Sequence, residues 1–130
     1  MNKTILTKKD IGFFEENGYL IVPELLSSEE IKYYRDVYED FLSNRIDTNS
    51  YRSDLGGHVD KKNTKVKELI TQIMVPSRLL PSLTDKPLHQ KSSAIARELM
   101  GEDMALDFDM LIDKAPHTNT ATPWHQDRAY

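Results

Sequence analysis

Cysteine is missing from all 130 residues. Its absence excludes disulfide stapling, thiolate zinc sites and cysteine nucleophiles, and leaves any metal to nitrogen and oxygen ligands. No run of about 18 apolar residues occurs, so nothing reads as a membrane span. The charged opening MNKTILTKKD lacks the apolar stretch of a signal peptide. The chain therefore reads as soluble and cytoplasmic. Positive charge is also short: 17 Lys and Arg stand against 21 Asp and Glu, for a net charge of -4. With no clustered basic stripe to displace counterions from a phosphate backbone, the charge points away from nucleic acid as a partner. Internal repeats and low-complexity tracts are absent too. What remains, 38% hydrophobic and 29% charged residues, is the composition of one ordinary folded domain or of part of one.

Start and stop signals organise the first half. Thr7 with Asp10 forms a capping box, Ile11 and Phe14 share a helical face, and Gly18 supplies a left-handed stop, which predicts a helix of about ten residues. YLIV, closed by Pro23, has the composition of a short strand. Ser27 with Glu30 makes a second capping box, and Ile31, Tyr34, Tyr38 and Phe41 recur at helical spacing, predicting a helix to about Ile46. Residues 47–63 lose periodicity and read as a surface loop. Helical spacing returns at Val66, Leu69, Ile70 and Ile73 and breaks at Pro76. A last helix, LHQKSSAIARELMG, turns Ile95, Leu99 and Leu88 inward and stops at Gly101.

The period then changes to two. In MALDFDMLID, Leu106, Phe108, Met110 and Ile112 share one face and Asp107, Asp109, Leu111 and Asp113 the other. The spacing predicts a strand with the first face buried and the acids solvated. A turn-rich segment follows, and then WHQDRAY, which reads as extended. The fold class is α+β: a mainly helical region over about 1–101, then the opening strands of a sheet over about 102–130, all in one domain. Two strands do not complete a sheet, so the chain reads as truncated. The apolar face of LDFDMLI, with no later strand to cover it, makes self-association an expectation.

On an extended segment, His125 and Asp127 point the same way and can share one ion. An imidazole and a carboxylate suit Fe(II), Mn(II) or Zn(II), and two histidines with one carboxylate make the facial site of non-heme iron oxygenases. By itself H-x-D is a weak pattern, and taken alone it more often marks an ordinary solvated strand end than a metal site.

Two separated segments carry a family resemblance. FFEENGYLIVPELLSSEEI resembles the opening of the phytanoyl-CoA dioxygenase family, and MLIDKAPHTNTATPWHQDRAY resembles the strand, loop and strand of that family ending in WHQD. The resemblance implies a double-stranded β-helix dioxygenase that uses Fe(II) and 2-oxoglutarate to hydroxylate a small-molecule substrate. It implies that His125 and Asp127 are iron ligands, and their carboxylate speaks for hydroxylation over halogenation. Lys114 falls where relatives often carry a lysine facing the active site, a candidate anchor for the cosubstrate carboxylate. Trp124 and Gln126 flank the ligands as candidate pocket residues. The distal histidine and the arginine that relatives place after the motif have no counterpart here, so the alternative is a catalytically inactive fragment or binding remnant.

The other histidines read more plainly. His117 is an exposed loop residue, His58 a solvated side chain after a Gly-Gly pair, and His89 a polar residue in a first helical turn.

Overall fold

The computed structural model describes residues 5–56, 68–117 and 121–126. Four helices and three strands occur among them in the order α1 (Lys8–Asn17), α2 (Ser28–Leu42), β1 (Arg52–Asp54), β2 (Ile70–Met74), α3 (Pro76–Leu79), α4 (Pro87–Met100) and β3 (Met110–Lys114). Short 3-10 turns occupy Asn49–Tyr51 and Pro81–Asp85.

Both capping boxes form as the sequence predicts. Thr7 and Asp10 exchange side-chain and backbone hydrogen bonds at the start of α1, and Ser27 and Glu30 do the same for α2. Each satisfies amides that the first helical turn leaves without an intrahelical acceptor, a gain of about 1 kcal/mol. Gly18 ends α1 at φ 76°, where a side chain would be strained, and its N–H donates to Phe14 O. Helix α2 stops at Leu42, four residues before the expected Ile46. Its last carbonyls are taken elsewhere: Arg52 Nη1 donates to Phe41 O at 3.2 Å and to Leu42 O at 3.1 Å, and Asn44 turns left-handed at φ 57°.

The sheet is antiparallel in the order β1-β2-β3. It corrects three expectations. Residues 70–74, read as helix, form the central strand. Thr71, Ile73 and Val75 are 4%, 0% and 7% exposed, an alternation only a strand produces, and their β-branched side chains fit a pleated surface. Arg52–Asp54, read as loop, pairs with it. Residues 19–22, read as a strand, adopt no regular structure and leave Ile21 in solvent, and no strand among the described residues offers them a ladder.

Strand β3 is shorter than expected, since residues 104–109 are irregular, and it faces the other way. Pairing fixes this. Register places Leu111 beside Ile73 and Asp113 beside Thr71, and those β2 residues point at the helices. Leu111 therefore packs on the core of Phe41, Ile73 and Leu83, while Met110 and Ile112 stand 39% and 49% exposed on the opposite face. One residue of register inverts every side chain in a strand. The core is closed by Tyr33, Tyr34 and Val37 of α2 together with Ile46, Leu79 and Leu80. Residues expected to face inward from α4, Leu88, Ile95 and Leu99, are half-buried. At the N-terminus, the Glu98 carboxylate accepts the amides of Ile5 and Leu6, both at 2.8 Å, and ties that segment to α4.

Where β1 and β2 approach, two carboxylates are held ionised. Asp54 lies below its ordinary value: burial pushes it up, but the amides of Ile70, Gly56 and Leu69 outweigh that. Glu68 is also depressed. Burial again opposes, and the Arg52 guanidinium and Thr71 hydroxyl prevail. Folded values below the unfolded ones mean that the native state binds these protons less readily, so their contribution is complete above the ordinary carboxyl values of 3.8 and 4.5. It is lost as pH falls through the depressed folded values. Urea midpoints should therefore stay flat from pH 7 to about 5 and fall steeply below about 4. The Glu68→Gln variant should show a shallower acid limb, and an unchanged limb would count against this assignment.

Candidate functional site

Two faces of the sheet offer different chemistry. The helical side carries a polar cluster under an apolar groove; the other side carries Lys114 and leads into the segment with His125.

Lys114 ends β3 on the same face as Met110 and Ile112, opposite the core. It is exposed, and its Nζ donates to Thr122 Oγ1 at 3.3 Å. That bond lays the segment before the histidine alongside the end of β3. Residues 121–126 are exposed and adopt no regular structure, so the extended strand expected there is not formed among them. Trp124 is wholly in solvent, and Gln126 is exposed as well. His125 places Nδ1 2.8 Å from Pro123 O. A carbonyl only accepts, so Nδ1 carries a proton, and a backbone oxygen that takes such a proton is one way a metal-binding imidazole is oriented. Asp127 and His58 lie outside the described residues. Among the described residues no three His, Asp or Glu side chains converge on one point. His117 is exposed in a left-handed turn at φ 62°.

On the helical side, sequence reasoning missed a pair. Asp109, expected in solvent, is 15% exposed, and His89, expected as a plain first-turn residue, is 14% exposed; His89 Nε2 sits 3.1 Å from Asp109 Oδ2. Asp109 also accepts the Ser77 hydroxyl at 2.8 Å and the Ser77 amide at 3.1 Å. The same residue's carbonyl accepts Val75 N–H at 2.8 Å, with Val75 left-handed at φ 48°, an uncommon state for a β-branched side chain. Asp109 Oδ2 accepts from Nε2, while Nδ1 is a buried atom with no hydrogen-bond partner among the described residues. Twenty residues separate the two side chains, so no local pattern in the sequence pointed to their meeting.

Beside this pair runs an apolar groove of 560 Å³ lined by Tyr34, Val37, Phe41, Leu88, Leu106 and Leu111, among others. Tyr38, also on its wall, donates to Ile112 O at 2.8 Å and lies 3.4 Å from Asp113 Oδ1. Burial, with the Asp113 charge second, pushes the Tyr38 phenol up to about 12, so it remains a donor at every physiological pH.

Comparison with known families now bears on the other face. The phytanoyl-CoA dioxygenase (PhyH) profile matches residues 14–130, from the second half of α1 through β3 and the H-x-D motif. The chain belongs to that family. No curated protein and no solved structure gives a significant match. Membership in the phytanoyl-CoA dioxygenase family makes this a dioxygenase-type domain, and its mixed helical and antiparallel architecture agrees with α+β. No helix among the described residues is long and apolar enough to cross a membrane.

Proposed function

We propose that this chain contributes the opening part of a cytoplasmic Fe(II)- and 2-oxoglutarate-dependent dioxygenase domain, of double-stranded β-helix architecture, that hydroxylates a small molecule. Residues 1–130 would belong to that one domain. The observation that carries the reading is that the family match runs through His125 and Asp127, an imidazole and a carboxylate two positions apart, with the His125 ring held at Nδ1 by the Pro123 carbonyl. Imidazole nitrogen and carboxylate oxygen are the donor set that ferrous iron accepts.

In this reading His125 and Asp127 hold the metal. Bound iron with its oxo-acid cosubstrate supplies the oxidising power. The remaining work belongs to side chains of the chain. Lys114, positively charged and exposed beside Thr122, pairs with a cosubstrate carboxylate. Met110 and Ile112, on the same face, offer an apolar surface against which a carbon skeleton can exclude water. Trp124 and Gln126 flank the ligands as candidates to cover the bound substrate.

The test is an anaerobic Fe(II) titration with and without 2-oxoglutarate, watching for the weak visible charge-transfer band of the ternary complex. The band should appear with the wild-type chain and vanish in His125→Ala and Asp127→Ala. Lys114→Met should keep the metal and weaken 2-oxoglutarate by roughly 10- to 100-fold, the worth of one charge-assisted hydrogen bond. A chain that binds neither component would instead be the inactive remnant.

A further inference from the structure

The open face of β3 depends on what grips the strand from behind. Val75 N–H to Asp109 O and Ala115 N–H to Leu69 O fix the ladder's phase, so the odd-numbered residues of β3 bond to β2. Met110, Ile112 and Lys114 turn their backbone groups to the outer edge. Tyr38 reaches that edge from α2 and takes the Ile112 carbonyl, two residues before Lys114. At the strand's start, His89 from α4 and Ser77 from α3 hold the Asp109 carboxylate.

We propose that Tyr38 and the His89–Asp109 pair are positioning residues that pin β3 from its helical side, so that Met110, Ile112 and Lys114 are presented to the cosubstrate in one orientation. The inference rests on the functional reading above for the word cosubstrate, and on geometry alone for the pinning. Among the described residues this five-residue strand pairs with a neighbour on one side only, and Met110 and Ile112 on its outer face lie outside the core cluster, so contacts to its outer carbonyls and to its first residues matter to its order. Tyr38 bonds the backbone of Ile112 and His89 the carboxylate of Asp109, so both act through the strand.

Backbone amide spectra of the whole chain test this in wild type, Tyr38→Phe, His89→Leu and His89→Gln. Hydrogen exchange is followed at Leu111, Asp113 and Ala115, and the same samples are titrated with 2-oxoglutarate. Tyr38→Phe and His89→Leu should each raise exchange of the β3 amides about ten-fold while α1 stays unchanged, and weaken 2-oxoglutarate about ten-fold. His89→Gln, whose amide N–H reaches where Nε2 stood, should restore both. Unchanged β3 exchange, or an equal rise in every element, overturns the proposal. Faster β3 exchange with unaltered affinity overturns the positioning role and leaves only a structural one. A wild type with protected β3 amides and no response to 2-oxoglutarate overturns the functional reading instead, and the exchange data then still decide the pinning.

Discussion

Phe41→Ala should destabilise the chain by about 3–5 kcal/mol, the cost of emptying a fully buried aromatic site. Phe41 is 0% exposed and sits where α2, β2 and the 3-10 turn after α3 meet, against Ile73 and Leu83. Only Ile73 matches it in burial among the described residues. The void cannot collapse easily, because β2 is held on both edges by its neighbours and α2 is held at its end by Arg52. Domains of this size are stable by about 5–15 kcal/mol, so the loss removes much of the margin. Urea unfolding should give a markedly lower midpoint with a similar slope. Phe41→Leu, which keeps most of the volume, should lose less than half as much. Equal losses for the two variants would show that volume at this site is not what matters.

How much of this was legible in the sequence divides along the range of the interactions. Capping boxes at Thr7–Asp10 and Ser27–Glu30 close within three residues, so residue type and spacing suffice, and both form. Strand β2 was hidden because Val66, Leu69, Ile70 and Ile73 mimic a helical stripe. Against that stripe stood Ile70, Thr71, Ile73 and Val75, four β-branched residues in six positions directly before Pro76, and tertiary pairing made their preference win. The face of β3 was ambiguous in principle: LDFDMLID alternates except at Leu111, where three apolar residues run together, and the pattern gives two faces without saying which is buried. Pairing with β2 chose Leu111 over Met110 and Ile112. Asp109 became an internal acceptor for the same reason, through partners 20 and 32 residues away. At the candidate site the residue types were readable, His125 and Lys114 above all. Their surroundings, the Pro123 carbonyl and the Thr122 hydroxyl, emerged only once the chain was folded.

Arg52→Ala should cost about 2–4 kcal/mol, the largest effect expected from any charged side chain among the described residues. A count of salt bridges would not predict this, because exposed pairs contribute little. Lys32–Asp36 and Arg45–Asp40 are such pairs, and truncating Lys32 should change stability by less than about 0.5 kcal/mol. Arg52 differs in burial and in the number of groups it serves. Its side chain is 18% exposed and that of Glu68 30%. Its Nε lies 3.0 and 3.1 Å from the two Glu68 oxygens, and Nη2 adds a bond of 2.8 Å. The remaining nitrogen, Nη1, serves the Phe41 and Leu42 carbonyls and Asn44 Oδ1. Removing it leaves a partly buried carboxylate held, among the described residues, by Thr71 and reopens the end of α2, two losses from one change. Arg52→Lys keeps the charge but offers one nitrogen where the planar fork used three, so it should recover less than half of the lost stability. Double-mutant cycles with Glu68→Gln separate the parts: the coupling energy reports the ion pair, and the residue left over reports the helix cap. A coupling equal to the whole loss would mean that the carbonyl contacts contribute nothing and that α2 ends at Leu42 for some other reason.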